Sequence, residues 1–358
     1  MRDVGRFLFF RSRRLPKGTN MARIKDVAEL AGVNRSTVSR IINGEGKFKE
    51  ETRLKVEQAM LQLNYRPSAI ARSLATSSSN MVGLLVTFYT GGFFGKMMEQ
   101  VQTELDMHHK FLITAQGHHS AQGEREAIQR FHDLRCDGYV LHSRYLSDDD
   151  LRTLAQQPTP FVLLDRHVEG LEDRCITFDH RAASQLVVNH LIQQGHSHIA
   201  CITGPLHRHN GRLRKQGYLD ALLEAGIKLD DSFCEEGNYG RQSGYFAMQE
   251  LLNRHPDITA VFSCSEEMTT GALQYLHEQR ISVPEQISLV SFDSVDLCES
   301  LYPTVTAVHF PISEMARAAV QSLITMVKQQ QTESLQRFTP VLKKRKADRP
   351  ILVLSENK

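Results

Sequence analysis

The chain has 358 residues, of which 41% are hydrophobic and 23% are charged, so its length and composition predict a globular protein of two or three domains. It contains no run of about 18 apolar residues, which excludes a membrane-spanning helix on the sequence alone. The net charge of +2 conceals an asymmetry, because residues 1–79 hold 16 basic against 7 acidic residues whereas residues 80–340 hold 21 against 32. A basic amino-terminal part on an acidic body is typical of a protein whose first domain meets a polyanion.

The six cysteines lie at least 26 residues apart and form no C-x-x-C pair, so neither a structural zinc site nor a disulfide framework is predicted. They are interpreted as free thiols in a reducing cytoplasm, and we expect a cytoplasmic protein. His190, His196 and His198 lie close together, but H-x-H between a helix and a strand favours a capping role over a metal site. No P-loop, dinucleotide fingerprint or G-x-S-x-G motif occurs. We therefore expect no catalytic residues, no metal and no cofactor, and we do not expect an enzyme.

Residues 1–20 form a basic leader with six Lys/Arg and no helical or strand periodicity. Its four consecutive apolar residues, Phe7–Phe10, are too few for the core of a signal peptide. Two interpretations stay open. Either Met21 is the true start and the leader results from a misassigned start codon, or the leader is a disordered basic arm that adds phosphate contacts.

The stretch 24–43, IKDVAELAGVNRSTVSRIIN, predicts two short amphipathic helices in a helix-turn-helix domain over residues 21–66. Gly32 stands where a left-handed C-terminal cap is required, and Asn34 stands where the N-cap of the second helix belongs. A third helix is predicted from Glu50 to Leu63. The first helix is expected to bury one apolar face, made of Ile24, Val27, Ala28, Leu30 and Ala31.

The second helix carries Val38, Ile41 and Ile42 as its apolar stripe and short polar or guanidinium side chains elsewhere. Side chains short enough for close approach, with donors that match base edges and phosphates, are typical of a helix that enters the major groove. A generic helical hairpin is the alternative. The candidate DNA-binding residues of this helix and its end are Arg35, Ser36, Thr37, Ser39, Arg40 and Asn43.

Residues 67–80 predict a short hinge helix followed by a polar linker, with Pro67 at the helix start. Ala71, Arg72 and Leu74 are its candidate DNA contacts, because an apolar wedge beside an arginine is what insertion into a minor groove requires. A linker helix that packs on the body is the alternative interpretation.

From Met81 the pattern changes to strand-length apolar runs that alternate with helix-length segments, which predicts two lobes with parallel, Rossmann-like sheets. The first lobe is assigned to about residues 81–180 and 310–340, and the second to about residues 181–309 and 341–354. Because open parallel sheets bind ligands at the carboxyl ends of their strands, we expect a binding cleft between the lobes. The predicted strands include 161–164, 175–178, 199–203 and 351–354.

Together these motifs resemble the lac repressor/galactose repressor family of bacterial transcription regulators, from Met21 to about Arg345. The resemblance rests on the helix-turn-helix, on the hinge sequence NYRPSAIARSL, and on body stretches such as HLIQQGHSHIACITGP (190–205) and ISVPEQISLVSFD (281–293). HLIQQGH and the LRCDG neighbourhood look closest to the galactose and aryl-β-glucoside repressor branch. The resemblance implies an all-α helix-turn-helix domain joined to an α/β, two-lobed, periplasmic-binding-protein-like core.

The resemblance also implies roles for particular residues. Arg35, Ser36 and Arg40 would face the major groove, with a phosphate contact as the alternative role for Arg40 and Thr37. Leu74 would wedge into a central minor-groove step, with Ala71 on the same face. The protein would be a homodimer that binds operator double-stranded DNA under the control of a small sugar or sugar phosphate. The implied ligand-binding residues are Phe94, His119, Asp165, Arg214, Tyr239, Ser265, Glu266 and Asp293.

Some of these positions depart from the family's usual pattern. Ser265-Glu266 stands where many members have Asn-Asp, and Ser294 replaces the usual second acid after Asp293, so the pocket has its own shape. The sequence thus predicts a ligand-controlled, sequence-specific DNA-binding repressor. The alternative is a sugar-binding transport or chemosensory protein without a DNA function, which the helix-turn-helix disfavours.

Overall fold

The computed structural model describes residues 22–66, 78–228, 230–330 and 336–351. The chain divides into two compact units, Met1–Ser79 and Asn80–Lys358. All regular secondary structure in the described part of the first unit is helical, whereas the second unit combines helices with two sheets. These architectures agree with the predicted fold class, an all-α domain plus a two-lobed α/β core.

The first unit packs three helices around a very small core. They are α1 (Ile24–Ala31), α2 (Arg35–Ile42) and α3 (Glu50–Gln62). Each contributes one fully buried valine, and the remaining buried side chains are alanines of α1 and α3. Because these side chains are short, the helices pack closely, and Arg35, Ser36 and Arg40 of α2 stay exposed.

Two expectations about α1 and α2 need correction. Leu30 was expected to be buried, but it is 50% exposed. The core centres on the Ala28 and Ala31 side of α1, and Leu30 lies about 100° of helix rotation away from Ala31. Asn34 occupies the N-cap of α2 in extended conformation, yet its side chain makes no capping hydrogen bond. The left-handed cap at Gly32 is confirmed, with φ +65°.

The described part of the second unit contains twelve strands, divided between two six-stranded sheets. In chain order they are β1 (Met81–Val86), β2 (Phe111–Gln116), β3 (Gly138–Leu141), β4 (Phe161–Leu164), β5 (Cys175–Phe178), β6 (Ile199–Thr203), β7 (Cys234–Glu236), β8 (Ala260–Ser263), β9 (Ser288–Asp293), β10 (Thr306–His309), β11 (Gln336–Phe338) and β12 (Val341–Lys343). The sheet of the first lobe has the order β11-β5-β4-β3-β1-β2, and that of the second lobe has the order β12-β10-β9-β8-β6-β7. Neighbouring strands are parallel except β10 and β12, as the predicted Rossmann-like lobes require.

Helices cover both faces of each sheet. They are α4 (Gly92–Met107), α5 (Ala121–Asp133), α6 (Asp148–Ala155), α7 (His180–Gln193), α8 (His209–Glu224), α9 (Arg241–Arg254), α10 (Glu266–Glu278), α11 (Leu297–Ser300) and α12 (Ile312–Val327). In the first lobe α4 packs against α12 on one face, and α5 and α6 cover the other. In the second lobe α7 pairs with α8, and α9 pairs with α10. Strands buried on both faces explain the continuous apolar runs in the sequence.

The chain passes between the lobes three times: from β5 to α7, from β10 to α12, and from β11 to β12. The predicted strands 161–164, 175–178 and 199–203 are confirmed. The strand predicted at 351–354 is not confirmed, because Ile351 lies outside regular structure and residues 352–354 lie outside the described residues. The short strands β10 and β11 were not predicted, since three or four residues are too few for a clear alternation pattern.

The clustered histidines fasten the carboxyl-terminal segment to the second lobe. His190 Nε2 lies 2.7 Å from a carboxylate oxygen of Asp348, and His196 Nε2 lies 3.0 Å from the carbonyl oxygen of Arg349. Among the residues that the structure describes, no cluster of metal-ligating side chains occurs, and no helix is both long and apolar enough to cross a membrane. All six cysteines are free thiols, as predicted.

Two glycine-to-alanine substitutions are predicted to change stability in opposite directions. A Cβ at Gly217 would lie 2.2 Å from the carbonyl oxygen of Arg181, where α8 crosses α7, whereas a Cβ at Gly95 meets nothing within 4 Å. We expect Gly217→Ala to lower the free energy of unfolding by roughly 1–3 kcal/mol through overpacking. Gly95→Ala should raise it by about 0.5–1 kcal/mol, because alanine favours the helix. Thermal unfolding followed by circular dichroism measures both, and a Gly217→Ala midpoint at or above that of the wild type would contradict this packing.

Candidate functional site

A cavity of about 650 Å³ lies between the two lobes of the second unit. This volume is ordinary for a small-molecule site. Segments that follow strands line it from both lobes: Phe88 and Asp165 follow β1 and β4, and Arg208 and Tyr239 follow β6 and β7. The carboxyl ends of the two sheets therefore face a common cleft, as expected for open parallel sheets.

Seven of the eight ligand-binding residues implied by the sequence line this cavity. They are Phe94, His119, Asp165, Arg214, Tyr239, Ser265 and Glu266. The eighth, Asp293, does not line it. Side chains alternate along β9, so Phe292 and Ser294 reach the cavity while Asp293 points elsewhere, with one carboxylate oxygen 3.4 Å from the Arg345 guanidinium. Ser294 instead donates a hydrogen bond to Glu266.

A hydrogen-bonded chain joins the two lobes at the base of the cavity. Arg214 Nε donates to His180 Nδ1 at 3.2 Å, and His180 Nε2 lies 2.8 Å from Asp165 Oδ1. Because a guanidinium only donates, His180 Nδ1 must accept, and its proton therefore sits on Nε2 and points at Asp165. Asp165 ends β4 of the first lobe, His180 begins α7 where the chain enters the second lobe, and Arg214 belongs to α8.

Charges set the protonation states in this chain. Burial alone would raise the pKa of Asp165, but His180 and Arg144 outweigh it and hold that pKa well below its usual range. Burial lowers the pKa of His180, Asp165 opposes this effect, and Arg214 reinforces it. A neutral imidazole therefore lies between a carboxylate and a guanidinium, and Asp165 stays ionised.

A buried glutamate of α5 holds the loop that follows β3. Glu124 accepts hydrogen bonds from Ser143 Oγ at 2.6 Å and from the backbone nitrogens of Arg144 at 2.8 Å and Leu146 at 3.0 Å. Arg144 then reaches Asp165, donating to its carboxylate and, at 2.6 Å, to its carbonyl oxygen. The loop thus presents Arg144 and Tyr145 to the cavity on a fixed support.

Arg208 and Tyr239 face each other across the part of the cavity nearest the second lobe. The Arg208 guanidinium lies 5.9 Å from the centroid of the Tyr239 ring, and Arg214 lies 5.7 Å from the same centroid. Arg208 also donates to the Tyr145 hydroxyl of the first lobe at 3.3 Å. Burial raises the pKa of Tyr239 to about 12, so its hydroxyl remains a donor at neutral pH.

Aromatic rings form the apolar wall of the cavity. Phe93 stacks on Phe310 with ring centroids 5.6 Å apart, and Phe94 lies 5.5 Å from Phe88. The Arg214 guanidinium lies only 3.9 Å from the Phe292 centroid. Ring faces beside fixed donors and acceptors match a ligand that combines C–H faces with hydroxyl groups.

Among the cavity residues that sequence reasoning missed are His142, Arg144, Arg208 and Phe310. A signal for three of them was available, because His142 and Arg144 follow β3 and Arg208 follows β6, at the strand ends where ligands bind. Phe310 follows β10, and no such signal existed for it because this strand was not predicted.

The first unit exposes the start of α2. Arg35 and Ser36 are exposed, Thr37, Ser39 and Asn43 are partly buried, and Val38 beneath them is fully buried. Residues near the start of a recognition helix are those that reach base edges in helix-turn-helix domains.

Arg40 is placed differently from Arg35. Its guanidinium carbon lies 5.6 Å from the Phe48 ring centroid, and a Cβ at Gly46 would meet its Nη2 at 2.7 Å. Arg40 thus rests on the loop that follows α2, whereas Arg35 has no such contact among the described residues. The candidate hinge residues Ala71, Arg72 and Leu74 lie outside the described residues.

Comparison with known proteins identifies the class. Residues 23–68 match the model of bacterial regulatory proteins of the lacI family, and residues 188–347 match the periplasmic binding protein-like domain. The chain belongs to the lacI family of bacterial regulatory proteins, which confirms the resemblance found in the sequence.

Particular relatives support this assignment over most of the chain. The HTH-type transcriptional regulator GalR of Escherichia coli K12 is 38% identical over 326 residues, which span 91% of this chain and 95% of that protein. The crystal structure of the Escherichia coli transcriptional repressor ascG has a TM-score of 0.70 and 30% identity, covering 75% of this chain and 99% of that one. The lac repressor dimer bound to operator and the anti-inducer ONPF has a TM-score of 0.83 and 26% identity, covering 92% and 100%.

Stability is predicted to fall in mild acid because of buried histidines in the cavity wall. Burial, followed by Arg144, holds the pKa of His142 well below its usual value, and the pKa of His180 is also lowered. The unfolded chain then binds protons more readily, so the free energy of unfolding should decrease as the pH falls below about 6.5. His142→Asn should reduce this slope by up to about 1.4 kcal/mol per pH unit.

Urea unfolding at pH 5–7 would measure the slope. The exposed His277 provides the control, since His277→Asn should leave it unchanged. Equal slopes for the wild type and His142→Asn would contradict a neutral, buried His142.

Proposed function

We propose that this protein is a sequence-specific transcription repressor whose operator binding is controlled by a small sugar ligand in the interlobe cavity. The observation that carries the proposal is the presence, in one chain, of a helix-turn-helix with an exposed Arg35 and a 650 Å³ cavity lined by guanidiniums, carboxylates and rings. The similarity to GalR over 91% of the chain supports both parts together. A regulatory role in the cytoplasm, with no catalytic activity, is part of this proposal.

The cavity chemistry suits a polyhydroxylated ligand. Asp165 and Glu266 supply acceptors, Arg144 and Arg214 supply paired donors, and Phe93 and Phe94 supply apolar faces. Bidentate bonds to neighbouring hydroxyls together with ring contacts to C–H faces are how proteins hold sugars. We propose Arg214 as the central residue, because His180 and the Cys264 carbonyl hold it from one side while it lines the cavity on the other.

Control of DNA binding would pass through the angle between the lobes. A ligand that favours one lobe arrangement shifts the population toward it by its differential affinity for the two arrangements. In a homodimer, such a shift would separate the paired hinge segments that contain Ala71, Arg72 and Leu74. A helix of about nine residues is marginal alone, so its folding on DNA would couple directly to this change.

Arg35 and Arg40 are predicted to contribute to DNA binding in different ways. Arg35→Ala should relax preference at one operator position, because a bidentate contact to a base contributes about 1–3 kcal/mol of discrimination. Arg40→Ala should weaken binding to all duplexes alike and reduce the salt slope by about one unit, because Arg40 rests on the loop and suits a phosphate contact. Binding to a set of operator variants, with the operator selected from random duplexes, measures both.

Arg35→Ala and Arg40→Ala each remove one positive charge, so their effects on DNA binding can be compared directly. If Arg35→Ala weakened every duplex to the same extent as Arg40→Ala, Arg35 would be a phosphate contact and not a base reader.

The Arg214→Ala variant is predicted to bind the operator normally but to lose its response to the sugar. Arg214→Ala should keep operator affinity within about twofold of the wild type, because Arg214 belongs to the second unit, while sugar-induced release should be lost. A thermal-shift screen of mono- and disaccharides and their phosphates would first identify the ligand, since about 100 times its Kd adds roughly 2.7 kcal/mol.

The control is Arg241→Ala, which removes an exposed guanidinium at the start of α9 outside the cavity lining. If the sugar still released the Arg214→Ala variant from the operator, Arg214 would not belong to the ligand site.

A further inference from the structure

Two guanidinium groups in the cavity lack a carboxylate partner. Arg214 is only 7% exposed, yet its hydrogen-bond acceptors among the described residues are neutral, His180 Nδ1 and the Cys264 carbonyl. Arg208 donates to the Tyr145 hydroxyl and likewise has no ion pair in the described part of the chain. A buried charge without a counterion is unfavourable unless another group compensates it.

The acidic residues of the cavity do not compensate these charges. Both oxygens of Asp165 already bind other residues, His180 and Arg144. Glu266 accepts from Ser294, and burial raises its pKa, which disfavours its charged form. Glu267, the third acid of the lining, forms no ion pair with either guanidinium.

Two buried hydrogen-bond donors in the cavity, one on Arg208 and one on Tyr239, also lack acceptors among the described residues. Arg208 Nε and the Tyr239 hydroxyl are both buried, and neither has a hydrogen-bond partner among the residues that the structure describes. The two donors lie close together, because the Arg208 guanidinium is 5.9 Å from the Tyr239 ring centroid. The Arg214 guanidinium lies 5.7 Å from the same centroid. The large majority of buried donors in native proteins are hydrogen-bonded, so an acceptor that enters from the cavity would satisfy these two.

We propose that the effector of this protein is a negatively charged sugar, a sugar acid or a sugar phosphate, whose anionic oxygens bind between Arg208 and the Tyr239 hydroxyl. The anion supplies the counter-charge that Arg208 and Arg214 lack, and it accepts from the two unpaired donors. Arg144 and Asp165 bind the hydroxyl groups at the other side of the cavity. This inference rests on the proposed function, since it specifies the ligand of the same cleft.

Matched neutral and anionic sugars test the proposal on the full-length protein. Isothermal titration would compare D-glucose and D-galactose with their uronates, aldonates and 6-phosphates, and operator release would be followed in parallel. The carboxylate and phosphate derivatives distinguish the two sources of negative charge. The variants are Arg208→Ala and Arg208→Lys, with the exposed Arg241→Ala as the charge-matched control.

We expect at least one anionic derivative to bind about tenfold or more tightly than its neutral parent, with an affinity that decreases as salt is added. Arg208→Ala should remove that preference, weakening the anionic ligand about tenfold while changing the neutral parent less than about twofold. Arg208→Lys should restore part of it, and Arg241→Ala should have no effect.

The proposal is overturned if a neutral parent binds as tightly as its anionic derivatives, or if Arg208→Ala weakens both equally. If only a neutral sugar released the protein from the operator, the proposed repressor function would be retained and the anionic site would be ruled out. Absence of binding and release for every sugar tested would contradict the anionic site and sugar control together.

Discussion

The contact on which the cleft depends is the chain from Asp165 through His180 to Arg214. It crosses the boundary between the lobes in two hydrogen bonds, of 2.8 Å and 3.2 Å, and all three side chains are buried. A neutral His180 is the only form that can donate to Asp165 and accept from Arg214 at once. Loss of Asp165 or His180 leaves a buried donor of the neighbouring residue unpaired, so these two residues position the ligand-binding guanidinium.

Other polar residues of the cavity are held in place by side-chain contacts, several of which start from this hydrogen-bonded chain. Asp165 holds Arg144, whose loop is in turn pinned by Glu124, while Arg208 spans the cleft to Tyr145. A ligand in this space would exchange contacts between the lobes for contacts with itself, which would link ligand binding thermodynamically to the lobe angle. We propose that this linkage is the physical basis on which operator binding responds to a small molecule in this member of the lacI family.

Most of the architecture was predictable from the sequence because it rests on periodicity. Buried strands such as 161–164 and 175–178 are continuous apolar runs, and Gly32 marks a helix end through its backbone conformation. The direction in which individual side chains point was less predictable. Asp293 follows a recognisable strand, but a shift of one residue along a strand moves a side chain to the opposite face, and Asp293 is turned toward Arg345. The ion pairing of Arg144, and the lack of an ion pair for Arg208 among the described residues, depend on neighbours distant in sequence, which no local pattern reports.

We propose that one ligand in the cleft and operator DNA compete through the conformation of the chain. The most direct measurement is the affinity of the full-length protein for its releasing sugar, determined by calorimetry with the protein free and with the protein saturated by operator. Linkage requires that operator weaken sugar binding by the same factor by which saturating sugar weakens operator binding. Equal sugar affinity for the free and the operator-bound protein would contradict the account.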